Sequence, residues 1–580
     1  MNNIFFLILR RMRAPLITVI VCYTIAIAGL TLMPGVDDQG NPWHMSLFEA
    51  FYVISYTATT IGFGEVPFAY SNAQRLWMTF SIYFTVIPWL YAIGKIISLF
   101  QDPALKQAIT TSSFARTVDN LHEPFFIVSG YGEAGSLLVK ALDHKGIRVV
   151  VTEIDQDRVN DLELEDYQFD IPVLCSDAKM PDTLLRAGVR HPMCHGIAAL
   201  TDDDHVNLAI AVAAKLLNPN LMVLARAEDD DVAANMASFG TDHILNPYTL
   251  FGDQLGMEVH AIGTYLLHQW LTGVPGESLS LPPVPPIGKW IVCGYGRFGK
   301  AVVENLEREQ ISTVIIEAEP ELTHCDQCII GSGTEAGTLM EAGVEEAVGI
   351  VAGTNNDINN LSIVMTAHKI NPALFVVVRK NRRFNEPLFD HFNADISMDP
   401  SAIIAHECLA RMITPLMTHF LELVRTQDNN WANQLISRMV EVVGEHVPEA
   451  WGVTVDAEHS PAVANLIAWG LPVTLESITR DPGNRTEKLG LVPLMLLRSG
   501  KYELLPENHT PLRVGDRILF CGTPNAKSAQ PITLSNHKTL TWIINGREIA
   551  DGWLWRWATR KVTRWRKSLR SFQPFNHTDK

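Results

Sequence analysis

The chain has 580 residues, 47 % of them hydrophobic and 19 % charged, with a formal net charge of −17. That length leaves room for several domains, and the acidic balance excludes nucleic acid as a main partner, which would want a basic surface. Eight cysteines (Cys22, Cys175, Cys194, Cys293, Cys325, Cys328, Cys408 and Cys521) lack the even spacing of a secreted disulfide scaffold, so a reducing cytoplasm suits most of the chain. Taken in chain order, residues 15–33 carry no charge and are long enough to cross a hydrocarbon core of ~30 Å as a helix. Arg10, Arg11 and Arg13 precede them, which places the N-terminus in the cytoplasm. A signal peptide is the competing reading, but the apolar run is long and no small-x-small cleavage site follows it. Residues 76–94, between Arg75 and Lys95, form a second uncharged run. The link between the runs holds Asp37, Asp38, Glu49 and Glu65 and no Lys or Arg before Arg75. Two spans with both chain ends in the cytoplasm is the consistent topology, a multi-pass cell-membrane protein in contact with lipid.

Between the spans, Ser46 and Glu49 have the spacing of a capping box, so a short apolar helix is predicted to run from there to about Thr59. Thr60, Ile61, Gly62, Phe63 and Gly64 follow it directly. This segment resembles the selectivity filter of potassium channels, with Ile for Val, Phe for Tyr, and Glu65 where many members have Asp. Dehydrated K⁺ needs rings of backbone carbonyls aimed at an axis, to which the Thr60 hydroxyl can add an oxygen layer. Gly62 and Gly64 are expected in the left-handed region that keeps successive carbonyls on one side. The helix C-terminus turns partial negative charge toward the ion path. No Arg-repeat helix precedes the pore, so no voltage sensor of the usual kind is expected.

A duplicated unit follows. An apolar strand ends in Gly130, Gly132 and Gly135, and its echo ends in Gly294, Gly296 and Gly299. Each then reaches a second apolar strand closed by an acid, Glu153 in the first repeat and Glu317 in the second. Later echoes include Thr201 with Thr354, Arg226 with Arg379, and Asn246-Pro247 with Asp399-Pro400. Strands alternating with helices mean parallel βαβ units, so each repeat is expected to be a doubly wound, Rossmann-like α/β domain. The glycines let the backbone approach a pyrophosphate at a helix N-terminus, and the acid takes ribose hydroxyls. Arg297, inside the second turn, is a candidate phosphate partner, whereas Glu133 at the same place in the first would repel phosphate. The second repeat is therefore the better candidate for NAD or a related adenine nucleotide, and the first is either a weaker site or a fold-maintaining turn.

A two-span pore joined to tandem Rossmann units resembles channels with regulator-of-potassium-conductance domains, the RCK or KTN family. The resemblance covers about residues 15–100 and 123–523. It implies a homotetramer, with eight regulatory units in a gating ring that senses a nucleotide and pulls on the inner helices. It also implies crossover helices after Asn246-Pro247 and Asp399-Pro400 that clasp neighbouring units. Only the second unit keeps the family's small C-terminal α+β lobe. The expected organisation is a helical two-span pore domain over 1–100, a linker over 101–122, and a first unit over 123–280. A proline-rich linker over 281–288 leads to a second unit over 289–450, the lobe over 451–523, and a tail over 524–580. The tail's stretch 553–570 mixes tryptophans with cations and has no acid, which suits an anionic membrane surface or a solubilising tail.

Remaining features carry two readings each. Pro88, or Gly94, is the expected bend of the inner helix, mobile or fixed. Cys325 and Cys328, with His324, resemble half a zinc or redox site, without a partner pair. The runs Asp202-Asp203-Asp204 and Asp229-Asp230-Asp231 are either divalent-cation ligands or solvated acidic loops. No spacing marks a catalytic arrangement or a dedicated metal site, so an enzyme is not expected. A membrane-tethered NAD-dependent oxidoreductase is the competing function, and it has no use for a filter.

Overall fold

Two apolar helices, Asn2–Leu32 and Asn72–Phe100, pack side by side in the computed structural model, which describes residues 2–273, 276, 278, 283–392 and 394–546. The tail's basic aromatic stretch and the start of the proline-rich linker lie outside the described residues. Within the two helices, Ile8–Leu32 (25 residues) and Asn72–Leu99 (28 residues) are long and apolar enough to cross a membrane. At about 1.5 Å per residue both outrun a core of ~30 Å, so they extend past the expected runs 15–33 and 76–94. Gly29 makes the contact between them close. A Cβ there would lie 2.0 Å from the Trp77 ring, whose Nε1–H donates to the Ala26 carbonyl at 3.0 Å. Ile20, Leu76, Phe80 and Ile87 turn outward and are exposed, which calls for lipid or other copies around them.

The expected linker is itself a helix, Pro103–Asp119, and it is anchored at both ends. Its Leu105 packs with Met12 and Leu99, and Arg11 pairs with Asp102 just before it. Its Phe114 and Val118 are buried in the core of the first α/β unit. The linker thus ties the span helices directly to that unit.

Each repeat folds as a six-stranded parallel sheet with helices on both faces. In the first, the sheet order is Val173–Cys175, Arg148–Glu153, Phe125–Ser129, Cys194–Ala199, Met222–Arg226 and His243–Leu245. The second follows the same order with Ile329–Ile330, Ser312–Glu317, Lys289–Cys293, Gly349–Ala352, Phe375–Arg379 and Ile396–Met398. This is the doubly wound arrangement, with its switch point between the first and fourth strands. Almost every residue of those central strands is buried, as expected for parallel strands covered on both faces.

The helix that leaves each unit completes the core of the other. Asn246 caps the helix Pro247–His260 and Asp399 caps Pro400–Ile413, each with Pro at the first helical position. From the first, Tyr248, Phe251 and Leu255 pack with Phe298, Val302 and Trp290 of the second unit. From the second, Ile404, Ala405, Cys408 and Met412 pack with Leu138, Val139 and Leu142 of the first unit. The clasp therefore joins the two units of one chain reciprocally.

The C-terminal lobe is a four-stranded antiparallel sheet built on Glu449–Thr454, Arg517–Gly522, Leu491–Arg498 and Lys501–Leu504. Its expected end at 523 needs correction. Thr523 caps another helix, Pro524–Ser535, and His537–Asn545 follows; Ala526, Leu534 and Leu540 are buried in the lobe's core. Composition hid this because these helices are short and carry few apolar residues.

Glu258, on the clasp helix Pro247–His260, is 4 % exposed and its Oε2 has no hydrogen-bond partner. Burial pushes its carboxyl up to about 7, against a bond from Tyr265 that pulls it down. The unfolded chain holds such a group near pKa ~4.3, so the folded state binds the proton more tightly. Stability from this group is fully present below about pH 4 and is lost as pH rises through about 7. Calorimetry of the detergent-solubilised chain should show Tm falling from about pH 5 to about pH 8, with a flatter profile in Glu258→Gln.

Candidate functional sites

The first candidate site is the loop between the two apolar helices. Ser46 Oγ accepts from the Glu49 N–H and Glu49 Oε2 accepts from the Ser46 N–H, so the expected capping box starts the helix Leu47–Ala58. Thr59 closes that helix, and the chain turns at once into an unusual backbone. Thr60, Gly62 and Gly64 have φ of 61°, 68° and 92°. Ile61 and Phe63 between them are not left-handed. Such alternation turns successive carbonyls to one side of the strand.

Side chains brace this strand from behind. The Tyr56 hydroxyl donates to the Gly64 carbonyl at 2.6 Å. The Phe63 ring stacks on Tyr52 at 6.4 Å and meets Tyr56 edge-on at 5.4 Å. Glu65 pairs with Arg75 at 2.8 Å and accepts from the Tyr70 N–H at 2.8 Å, fixing the outer end of the loop. Sequence reading placed the glycines but missed Thr60 as a left-handed residue and the Tyr56 tether.

The second site is the pair of glycine turns. Gly135 and Gly299 sit where a Cβ would come 1.9 Å from the Gly130 carbonyl oxygen and 2.0 Å from that of Gly294. Only glycine lets each helix start so close to its strand. Gly132 and Gly296 cap the helices Glu133–His144 and Arg297–Arg308 with no side-chain bond, which leaves their first N–H groups for a ligand. In each repeat the acid holds its turn. Glu153 Oε2 accepts from the Tyr131 N–H at 2.5 Å, and Glu317 Oε2 accepts from the Tyr295 N–H at 2.6 Å. Both acids are nearly buried.

The two turns are not equivalent, and their surroundings change the expected ranking. A cleft of about 650 Å³ opens over the first turn, lined by Tyr131, Gly132 and Glu133. Its opposite wall is Arg379, Arg382 and Arg383 of the second unit. The buried Nε of Arg379 has no partner, while its Nη2 donates to the Tyr248 hydroxyl at 2.8 Å. Glu133, expected to repel phosphate, accepts from the Arg383 N–H at 3.2 Å. Arg297, expected to face phosphate in the second turn, instead pairs with Glu228 of the first unit at 2.8 Å. Glu228 also pairs with the largely buried Arg226. Burial alone would push the Glu228 carboxyl up, but Arg226 and Arg297 hold it below its usual range.

Two buried asparagines were missed in the sequence. Asn207 binds the Thr201 N–H and donates to the Thr201 and Arg226 carbonyls, and Asn360 does the same with Thr354 and Arg379. They lock the ends of the fourth and fifth strands beside each cleft. Both sit six residues after an echoed threonine, a signal that was available. Four of the six aspartates in the acidic runs serve the fold. Asp203 and Asp229 cap helices, Asp204 accepts from the Glu228 and Asp229 N–H groups, and Asp202 faces Arg226. Among the described residues no group of three or more His, Cys, Asp or Glu gathers for a metal ion.

Residues 126–247 and 290–400 each match the TrkA-N domain family, one match in each repeat. It is 27 % identical over 242 residues to potassium channel protein 1 of Methanocaldococcus jannaschii, covering 40 % of this chain and 63 % of that one. Probable potassium channel protein 2 of the same organism is 22 % identical over 239 residues, covering 41 % and 64 %. An uncharacterized protein of Methanothermus fervidus is 27 % identical over 227 residues, covering 39 % and 35 %. The chain thus spans from 35 % to 64 % of the length of these curated relatives. Among solved structures, the GsuK channel aligns with a TM-score of 0.49 at 15 % identity, over 94 % of this chain and 100 % of that one.

The charge knot between the units makes a direct prediction. Glu228→Gln leaves Arg226 and Arg297 facing each other with less compensation, and breaking a buried pair costs about 3–5 kcal/mol. Arg226 keeps Asp202 at 3.4 Å, so the expected loss is at the low end, about 3 kcal/mol, read as a lower denaturant midpoint.

Proposed function

We propose that this chain, with its two TrkA-N domains, is one subunit of a potassium-selective membrane channel whose opening is set by an adenine nucleotide in the glycine-turn clefts. The observation that carries the reading is the left-handed alternation at Thr60, Gly62 and Gly64, directly after a capped helix too short to span a membrane. A carbonyl-lined strand at that place replaces the hydration shell of K⁺ when several copies surround an axis. Four such strands are needed around one ion, so the functional unit is a homotetramer with eight TrkA-N domains beneath the pore. Both chain ends lie in the cytoplasm of a cell-membrane protein. The resemblance to potassium channel proteins of Methanocaldococcus jannaschii supports the same reading. An oxidoreductase would leave the pore loop unexplained.

NAD or a related adenine nucleotide is the proposed effector. Its phosphates lie over Gly130, Gly132 and Gly135, facing Arg382 and Arg383 from the second unit, with ribose toward Glu153. The second turn, with Gly294, Gly296, Gly299 and Glu317, is a further site. Phosphate there competes with Glu228 for Arg297 and so loosens the seam between the units. A nucleotide bound in either cleft touches both units, which lets it favour one arrangement of the clasp over another.

Purified protein in liposomes should pass K⁺ far faster than Na⁺, and Gly62→Ala should abolish flux or selectivity while leaving insertion intact. Equal K⁺ and Na⁺ flux through the unmodified protein would sink the channel reading. Each Arg–phosphate contact contributes roughly 1.5–3 kcal/mol. Arg382→Ala and Arg383→Ala should therefore each weaken nucleotide binding by about one to two decades in a calorimetric titration of the full chain.

A further inference from the structure

The second TrkA-N domain carries a pair of thiols that the nucleotide reading leaves without a role. Cys325 and Cys328 flank a two-residue loop that leads into the strand Ile329–Ile330. Cys325 is 9 % exposed and Cys328 is half-buried, and both are free. Cys328 Sγ lies 3.4 Å from the Cys325 carbonyl oxygen, so the two cysteines share one tight turn. The first domain has no such pair: its equivalent strand, Val173–Cys175, ends on a cysteine that pairs with Glu153 as Ile330 pairs with Glu317.

The pair sits beside the second glycine turn. Ile329 and Ile330 pair in register with Ile316 and Glu317. Glu317 in turn accepts the N–H of Tyr295, the residue between Gly294 and Gly296. Any change of backbone at Cys328 is therefore transmitted within two residues to the carboxylate that holds the turn.

We propose that Cys325 and Cys328 form a reversible dithiol–disulfide site that reports the thiol redox state of the cytoplasm to the second nucleotide cleft. A metal site is disfavoured because no third ligand joins the pair among the described residues. Thiol–disulfide exchange with a small disulfide such as oxidised glutathione supplies the chemistry. Cys328, the more exposed thiol, loses its proton to solvent and attacks one sulfur of the small disulfide, whose S–S bond breaks. One small thiolate leaves and takes up a proton. Cys325 then loses its proton and attacks Cys328 Sγ, forming the internal S–S bond and expelling the second small thiol. Two protein sulfurs are oxidised, and the small disulfide takes up two electrons and two protons. Burial, with Cys328 beside it, pushes the Cys325 thiol up to about 12. A buried thiolate is thus not stabilised in the reduced form, which favours the disulfide once an oxidant is present. Cytoplasmic disulfides of this kind are transient and sensing rather than structural.

The test uses the full chain, purified reduced in detergent, equilibrated with oxidised glutathione, acid-quenched, alkylated and mapped by peptide mass. The peptide spanning both cysteines should lose two hydrogen atoms and resist alkylation, and dithiothreitol should restore it. Cys325→Ser should stop at a glutathione adduct on Cys328, and Cys175→Ser should behave as the unmodified chain. Both thiols remaining alkylatable, or an unresolved adduct in the unmodified chain, would overturn the proposal. The coupling to the cleft rests on the nucleotide reading and has its own readout. NAD⁺ and ADP affinity should change at least about threefold on oxidation, and not at all in Cys328→Ser. An unchanged affinity with the bond formed would overturn the coupling. Failure of either nucleotide to bind the reduced chain would instead count against the nucleotide reading, with the thiol chemistry intact.

Discussion

Each α/β unit of this chain lacks part of its own core, and the helix leaving the other unit supplies it. Phe251 and Leu255 fill the space against Phe298, and Ile404 and Cys408 fill the space against the helix of the first glycine turn. Burying a side chain of this size contributes roughly 1.5–3 kcal/mol, so several on each side hold the clasp closed. The pieces they grip are Glu133–His144 and Arg297–Arg308, whose N-termini carry the two glycine turns. Neither glycine turn can shift without its clasp helix responding. The inter-unit knot of Arg226, Glu228 and Arg297, and the arginine wall over the first cleft, both follow from that geometry.

The same rigidity reaches the membrane. Phe114 and Val118 bury one end of the linker helix in the first domain, while Leu105 and the Arg11–Asp102 pair hold its other end to the span helices. The filter strand is braced separately by Tyr56 and the Glu65–Arg75 pair.

Much of this was legible in the sequence because it rests on local rules. Apolar runs of spanning length, the Ser46 and Glu49 capping box, and the echoed glycine turns each reflect interactions within a few residues. The doubly wound sheets followed from alternating patterns, and Asn246-Pro247 and Asp399-Pro400 marked helix starts that the structure contains. What remained hidden depends on contacts far apart in the chain. Glu133 looked free to face a ligand until the backbone N–H of Arg383, 250 residues away, was found bound to it. Arg297 looked free for phosphate until Glu228 was found against it. The acidic runs left ion binding and solvated loops both open, because capping and ion binding use the same side chains.

The central claim is that occupancy of the TrkA-N clefts sets the opening of the pore. Single-channel recording of the purified chain in a planar bilayer tests it most directly, with K⁺ on both sides and NAD⁺ or ADP added on the TrkA-N side. The account predicts K⁺ currents of fixed unitary size whose open probability changes with nucleotide, and a loss of that response in Arg382→Ala. An open probability indifferent to a nucleotide that binds the same preparation would contradict it.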